Sequence, residues 1–414
     1  MVGSRKPGLA TRDSRLVIVP SPLMELLRNA ELYDPKPRGR AHLLVAGESI
    51  VWVGTEVPAF PQALDVKLRD LDGRRVIPGL IDGHVHLTGG GGEAGPHTRV
   101  PPLALSRLTA GGVTTAIGVL GTDDTVRSTA ELVTTARGLI AEGLSAYCYT
   151  GGYHLPPATI TGSVRQDIVL IDLILGVGEL AISDHRSSQP TLEELLRIAA
   201  DAHVAGLMMD KAGIVHLHVG DGPRGLELVR QALEQTELPS RVFNPTHVNR
   251  RKALLQDAMA LAQRGCTIDI TAFPVEEGDD GWSAAEALTR YLEAGLPPDR
   301  VTVSSDGGGC LPVFDAAGRV IAMDIGRPAA MAETLRELLA CGQPLERVLP
   351  AFGANQARLL LLPRKGRLSE GADADLVVLD EDGSVEDVMA RGRWHVLASR
   401  PVIRGALEER EEVG

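Results

Sequence analysis

The chain has 414 residues, more than one small core needs and enough for a barrel of about 250 residues plus a second module. Its 42 Lys and Arg against 54 Asp and Glu give a formal net charge of −12, which argues against nucleic acid and anionic membrane as partners. Aromatics make up only 3% of the residues, so stacking surfaces for bases or sugars are scarce, and no run approaches the roughly 18 apolar residues of a membrane span.

In chain order, residues 1–15 carry Gly, Pro and mixed charge without periodicity and read as a disordered lead-in. The longest apolar run near the N-terminus, Leu16 to Pro20, is too short for a signal peptide. Residues 16–75 give short β-like runs, LLRNAELY, AHLLVAG and SIVWVGTE, between Pro and Gly turns. Residues 76–364 alternate as a (β/α)8 barrel should, with strands expected near 76–86, 113–119, 145–150, 178–183, 214–219, 243–248, 267–273 and 301–306. Helix-period segments such as LEELLRIAADAHVAG and ALLQDAMALAQRG lie between them, and several end in Gly as helix C-caps do. A helical tail is expected from about Leu345 to Leu362. Residues 365–414 return to β-like text, ADADLVVLD and RGRWHVL. Each end alone is short of strands, so the two ends are expected to build one small β-sandwich together. The four cysteines, Cys148, Cys266, Cys310 and Cys341, show no CxxC spacing and fit reduced thiols in a cytoplasm, three of them as small buried hydrophobes.

The most informative segment is VIPGLIDGHVHLTGGGGE, Val76 to Glu93. On a strand, residues i and i+2 point the same way, so His84 and His86 face one site as neutral imidazoles suited to zinc. His218 in IVHLHVGD, His247 in NPTHVNR and Asp306 in VTVSSDGGG follow at strand ends, one βα unit and then two apart. Parallel strands with crossover helices bring those ends to one face, where barrel enzymes keep their chemistry. Glu179, in LGVGELAISDHRSS, offers a carboxylate able to span two cations about 3.5–4 Å apart, with a hydroxide as the second bridge. Asp306 is suited both to bind metal and to take a proton from the attacking water, then to pass it to a leaving amine.

The ordered series HVHLTGGGGEAGP, SRLTAGG, GVTTAIGVLGTD, TGGYHLP, ITGSV, AISDHRS, PTHVNR, IDIT and SSDG resembles the isoaspartyl dipeptidases of the amidohydrolase superfamily, over residues 25 to 405. The resemblance implies a barrel hydrolase with two zinc ions that cleaves the amide joining an aspartyl β-carboxyl to the next residue, in a homo-oligomer acting on a small dipeptide. It implies that His84, His86 and Asp306 serve one zinc and His218 and His247 the other. It further implies that Tyr153 steadies the oxyanion, that Glu93 holds the substrate's α-ammonium, that Arg186 and Arg250 grip its two carboxylates, and that Thr122 adds a polar contact. Asp184, His185 and Arg251 are assigned structural roles, and Lys211 a surface one.

Two departures from the family pattern bear on the chemistry. Glu179 stands where the best-known members carry a carboxylated lysine, and presents its carboxylate on a much shorter arm. Cys310 stands where a substrate-contacting serine is usual, and a thiol is a weaker hydrogen-bond partner. Another superfamily activity, on a cyclic amide or an N-acyl amino acid, is the neighbouring reading. A non-catalytic scaffold would have little reason to keep four histidines and Asp306.

Overall fold

The computed structural model describes residues 24–61, 63–276, 278–314 and 319–408; the expected lead-in of residues 1–15 lies outside them. Five strands come first: β1 (Met24–Asp34), β2 (Lys36–Ala46), β3 (Ser49–Gly54), β4 (Val66–Asp70) and β5 (Arg75–Pro78). Leu27, Ala30 and Leu32 of β1 and Ala41, Leu43 and Val45 of β2 are buried in one apolar cluster. Residues of both chain ends, among them Leu376, Val378 and Met389, complete that cluster.

Eight strands follow at the expected places: β6 (Leu80–Val85), β7 (Val113–Gly118), β8 (Ser145–Thr150), β9 (Ile174–Ile182), β10 (Ile214–Val219), β11 (Phe243–Thr246), β12 (Ile268–Thr271) and β13 (Val301–Ser304). The first six pair in parallel and in chain order, and the last two form a second parallel pair. Backbone bonds cross both gaps, from the Val248 amide to the Asp269 carbonyl (3.4 Å) and from the His86 amide to the Gly307 carbonyl (2.8 Å). Every residue of β6, β7, β9 and β10 is buried, as expected of parallel strands covered on both faces. The arrangement is α/β and TIM-like.

The covering helices are α1 (Leu105–Ala110), α2 (Thr129–Ala141), α3 (Val164–Leu170), α4 (Leu192–Met209), α5 (Glu227–Gln235), α6 (Lys252–Gln263), α7 (Ala284–Glu293) and α8 (Ala330–Ala340). Capping boxes start α4 (Thr191 with Glu194) and α7 (Ser283 with Glu286), satisfying amides that the first turn leaves without partners. The expected helix over 345–362 is broken instead into Leu345–Val348, a 3-10 turn at Leu349–Phe352 and Ala354–Leu359. Pro350 cannot continue a helical hydrogen-bond ladder, and Gly353 leaves the helical region at φ −162°.

Between β13 and α8 the chain makes an antiparallel pair, β14 (Cys310–Phe314) with β15 (Val320–Ile325), which the sequence reading did not anticipate. The chain then ends in β16 (Leu376–Leu379), β17 (Val385–Ala390), β18 (Arg393–Leu397) and β19 (Arg400–Pro401). Both ends meet at β5, which runs parallel to β1 and antiparallel to β16 within one mixed nine-stranded sheet. Only Cys148 and Cys266 are buried; Cys310 is half-buried and Cys341 exposed, so the expectation of three buried thiols fails by one. Lys211 is not a plain surface residue, since its ammonium donates to the Ile168 and Ile171 carbonyls (2.6 and 2.8 Å) at the end of α3.

Candidate metal centre and adjoining cleft

His84 lies inside β6 and His86 follows its last residue, Glu179 lies in β9 and His218 in β10, while His247 and Asp306 follow the ends of β11 and β13. His247 and Asp306 adopt left-handed backbone conformations, with φ of 61° and 52°. Those values are tolerated best by Asn, Asp and His among residues with a side chain.

Two groups of donor atoms converge: His84, His86 and Asp306, and His84, Glu179 and His247, with the atoms of each group within 4.8 Å of one another. The His84 Nε2 atom is 3.5 Å from Glu179 Oε2 and 3.5 Å from Asp306 Oδ1, and His86 Nε2 is 3.7 and 3.1 Å from the same two oxygens. A four-coordinate zinc with bonds of about 2.0–2.1 Å holds its ligand atoms about 3.4 Å apart. His84 Nε2, Glu179 Oε2 and Asp306 Oδ1 are moreover buried without a hydrogen-bond partner, which is costly for polar atoms unless something else satisfies them. The residues present therefore fit a cation.

Space for the cluster is set by glycines. A Cβ at Gly121 would lie 2.8 Å from His86 Cε1, and one at Gly309 2.2 Å from Asp306 Oδ1.

Glu179 reaches both halves of the cluster. Its Oε1 lies 2.6 Å from His218 Nδ1 and 3.1 Å from His247 Nε2, while Oε2 faces His84 and His86. His218 is outside the two convergent groups; its Nε2 lies 2.9 Å from Asp184 Oδ2 and its Nδ1 2.8 Å from the Tyr153 hydroxyl.

Burial disfavours charge throughout, yet the mutual attraction decides several states. Burial opposes a charged His84, but Glu179 and Asp306 outweigh it and hold its pKa well above the imidazole range. Burial likewise opposes the charged carboxylates, but the neighbouring histidines hold Glu179 and Asp306 below the usual range. His247 is pushed down to about 3, chiefly by burial. Burial, reinforced by the Glu179 carboxylate, raises the Tyr153 hydroxyl well above its ordinary value, so it remains a proton donor.

A cleft of about 730 Å³ adjoins the cluster, lined by Glu93, Thr122, His154, His185 and Arg186, with Arg319, the residue before β15. Thr122 donates to Glu93 Oε1 (2.6 Å), and Arg186 Nη1 is 3.4 Å from the same oxygen. Glu93 Oε2 is buried without a partner. Cys310 is close enough for burial and the Glu93 carboxylate to raise its thiol to about 12. Of the expected substrate contacts, Glu93, Thr122, Arg186 and Cys310 are thus brought together. Arg250 is not among the residues lining this cleft and pairs with Asp221 at 3.7 Å.

Asp184 holds cluster and cleft in register. It accepts from Arg186 Nε (3.0 Å) and Nη2 (2.8 Å) while facing His218, and both partners keep it ionised below its ordinary range despite burial. The structural role assigned to it is therefore placed inside the site. His154 ties the Tyr153 turn to its surroundings through Asp124 (2.9 Å) and the Arg186 carbonyl (2.9 Å). Buried Arg127 pins the glycine loop that carries Glu93 by donating to the Thr88 and Val100 carbonyls (3.0 and 2.7 Å).

The sequence reading missed His216, whose Nε2 is 2.8 Å from His84 Nδ1. The signal was available, because His216 and His218 repeat the His84 and His86 spacing on β10.

Residues 75–395 match the model of the amidohydrolase family. A β-aspartyl dipeptidase from Fervidobacterium islandicum AW-1, solved in complex with a β-Asp-Leu dipeptide, is 41% identical. It superposes with a TM-score of 0.88, covering 92% of this chain and 98% of that one. A further structure of β-aspartyl dipeptidase from the same organism gives 40% identity and a TM-score of 0.84 over 91% and 98% of the two chains. Among curated proteins, an imidazolonepropionase from Anaeromyxobacter sp. (strain K) is 28% identical over 367 residues, 82% of this chain and 83% of its own length. The motif likeness to β-aspartyl dipeptidases is therefore matched by solved structures over nearly the whole chain, and the protein belongs to the amidohydrolase family as a hydrolase of that superfamily.

Proposed function

We propose that this hydrolase cleaves isoaspartyl dipeptides at a dinuclear zinc centre, with His84, His86 and Asp306 holding one ion, His218 and His247 the other, and Glu179 between them. Bound there, zinc would polarise the scissile carbonyl and acidify water. The protein's own groups do the rest. Asp306, ionised in its pocket, takes the proton of the water as its oxygen bonds to the amide carbon. It returns that proton to the leaving nitrogen as the C–N bond breaks. Tyr153 keeps its hydroxyl proton and donates it toward the oxygen on which charge develops.

The observation that carries this reading is the partnerless Glu93 Oε2 beside Arg186 in the cleft, one anionic and one cationic clamp linked to the cluster through Asp184. An isoaspartyl dipeptide brings one ammonium and two carboxylates. Glu93 takes the ammonium and Arg186 one carboxylate, Thr122 and Cys310 line the ammonium side, and Arg250 reaches the other carboxylate only on leaving Asp221. The β-Asp-Leu complex of the 41% identical relative supports the same substrate class.

The reading includes a closed (β/α)8 barrel at 76–364, a sandwich from the described parts of 16–75 and 365–414, residues 16–23 and 409–414 lying outside them, and a cytoplasmic homo-oligomer. None of the helices described is long and apolar enough to cross a membrane.

The test is hydrolysis of paired β-linked and α-linked aspartyl dipeptides, with metal content measured on the same sample. Cleavage confined to the β-linked member with close to two zinc per chain is the expected result. The likeness to imidazolonepropionases keeps a second reading, a cyclic amide or N-acyl substrate, which inactivity on both dipeptides by a metal-loaded sample would favour.

A further inference from the structure

His216 is fully enclosed, and neither the metal cluster nor the cleft has used it so far. It projects from β10 across the interior, where its Nε2 lies 2.8 Å from Nδ1 of His84 on β6. Its other nitrogen, Nδ1, lies 2.6 Å from the Asn244 side-chain oxygen, and the Asn244 amide nitrogen donates to the Thr267 carbonyl (2.7 Å).

These contacts admit one direction of donation. The Thr267 carbonyl can only accept, so the Asn244 amide presents NH₂ to it and its oxygen to His216. That oxygen accepts, so His216 Nδ1 carries the proton and its Nε2 offers a lone pair. His84 must then donate from Nδ1, which leaves its Nε2 as the nitrogen that faces Glu179 and Asp306.

Two further features fix the ring. Tyr149 of β8 stacks on it, with centroids 5.2 Å apart and planes 18° apart. Gly178 makes room, since a Cβ there would lie 2.8 Å from His216 Cβ.

We infer that His216, oriented by Asn244 and Tyr149, is a positioning residue that locks His84 in the tautomer presenting Nε2 to the metal. An outer partner of this kind sets both the orientation and the basicity of a ligating imidazole. The inference rests on His84 being a metal ligand.

The test titrates zinc into metal-free protein against a chelator of known affinity. His216→Phe keeps the stack on Tyr149 and removes the acceptor. It is expected to bind zinc about 10–100-fold more weakly while melting cooperatively without metal. His216→Gln, whose side-chain oxygen can accept from His84, is expected to recover affinity to within a few-fold of wild type. Unchanged affinity in a folded His216→Phe variant overturns the inference. Equal losses in the Phe and Gln variants also overturn it, because they assign the loss to packing. Should His216→Phe fail to fold, Asn244→Leu, which frees His216 to take the other tautomer, must weaken zinc binding or the inference falls. A wild-type chain that binds no zinc overturns both this inference and the proposed metal centre, whereas a zinc-binding wild type with unaffected variants overturns this inference alone.

Discussion

Asp269 and the pair Glu179 and Asp306 are buried carboxylates on or just after the parallel strands, but their surroundings differ. Asp269 of β12 accepts from Thr246 (2.7 Å), Thr302 (2.6 Å) and Ser304 (2.6 Å), hydroxyls of its two neighbouring strands. Both of its oxygens have partners. Glu179 and Asp306 each keep one oxygen without any, and those oxygens point toward His84 and His86. A satisfied buried charge stitches strands together; an unsatisfied one beside converging donors leaves coordination capacity for something else.

Asp306→Asn breaks the comparison on the unsatisfied side with the largest expected effect. Turnover should fall by about 10²–10⁴-fold, the usual worth of a positioned acid–base group, while the metal-free protein melts no earlier than wild type. An earlier melt would mean that Asp306 stabilises the fold as Asp269 does. Asp269→Ala is the counterpart. Leaving three buried hydroxyls without their acceptor should cost about 3 kcal/mol in denaturant unfolding, with metal bound per folded chain unchanged.

His395 sharpens the rule from a different direction. Its ring nitrogens are buried and make no side-chain hydrogen bond, yet among the described residues it belongs to no convergent group of metal-ligating donors, so it marks no site. Burial pushes its pKa down to about 4, with Arg393 adding to the effect. The folded chain therefore refuses a proton that the unfolded chain accepts below about pH 6.5, and stability is lost as pH falls from about 6.5 toward 4. That loss amounts to about 3 kcal/mol at most. Unfolding at pH 7.5 and 4.5 should show a smaller acid loss in His395→Leu than in wild type; parallel losses would remove His395 from the account.

Gly121→Ala tests the cluster more gently. The added methyl meets His86 Cε1, and zinc affinity should drop by about 10-fold, read by chelator competition. The smallest expected effect is none: activity in bicarbonate-depleted buffer should equal that in ordinary buffer, because Glu179 supplies a carboxylate with no carbon dioxide needed.

Legibility in the sequence followed periodicity. The eight parallel strands were readable because each is a short apolar run, and the converging donor residues because most of them stand at or near the ends of those runs. The β14–β15 pair was not readable, since residues 310–325 mix Gly, Pro and charge without strict alternation. The broken helix over 345–362 was misread because its apolar period continues through Pro350 and Gly353. Asp184 was given a structural role and His216 was missed, for another reason. Asp184 matters through its contacts with Arg186 and His218, which side-chain direction decides, and His216 through its contact with His84 on a distant strand, although its His-x-His spacing was in view.

The left-handed backbone at His247 and Asp306 also restricts how this centre can drift. Only glycine and a few short polar side chains occupy that region readily, and β-branched residues are nearly barred from it. Random change at these two positions is thus filtered by conformation before it is filtered by chemistry. The favoured residues, Asn, Asp, His and Gly, include three that can still offer an oxygen or nitrogen to a cation. Variants that fold will therefore be enriched in altered metal preference, and a library built at 247 and 306 samples metallochemistry far more densely than one built along the interior of β6.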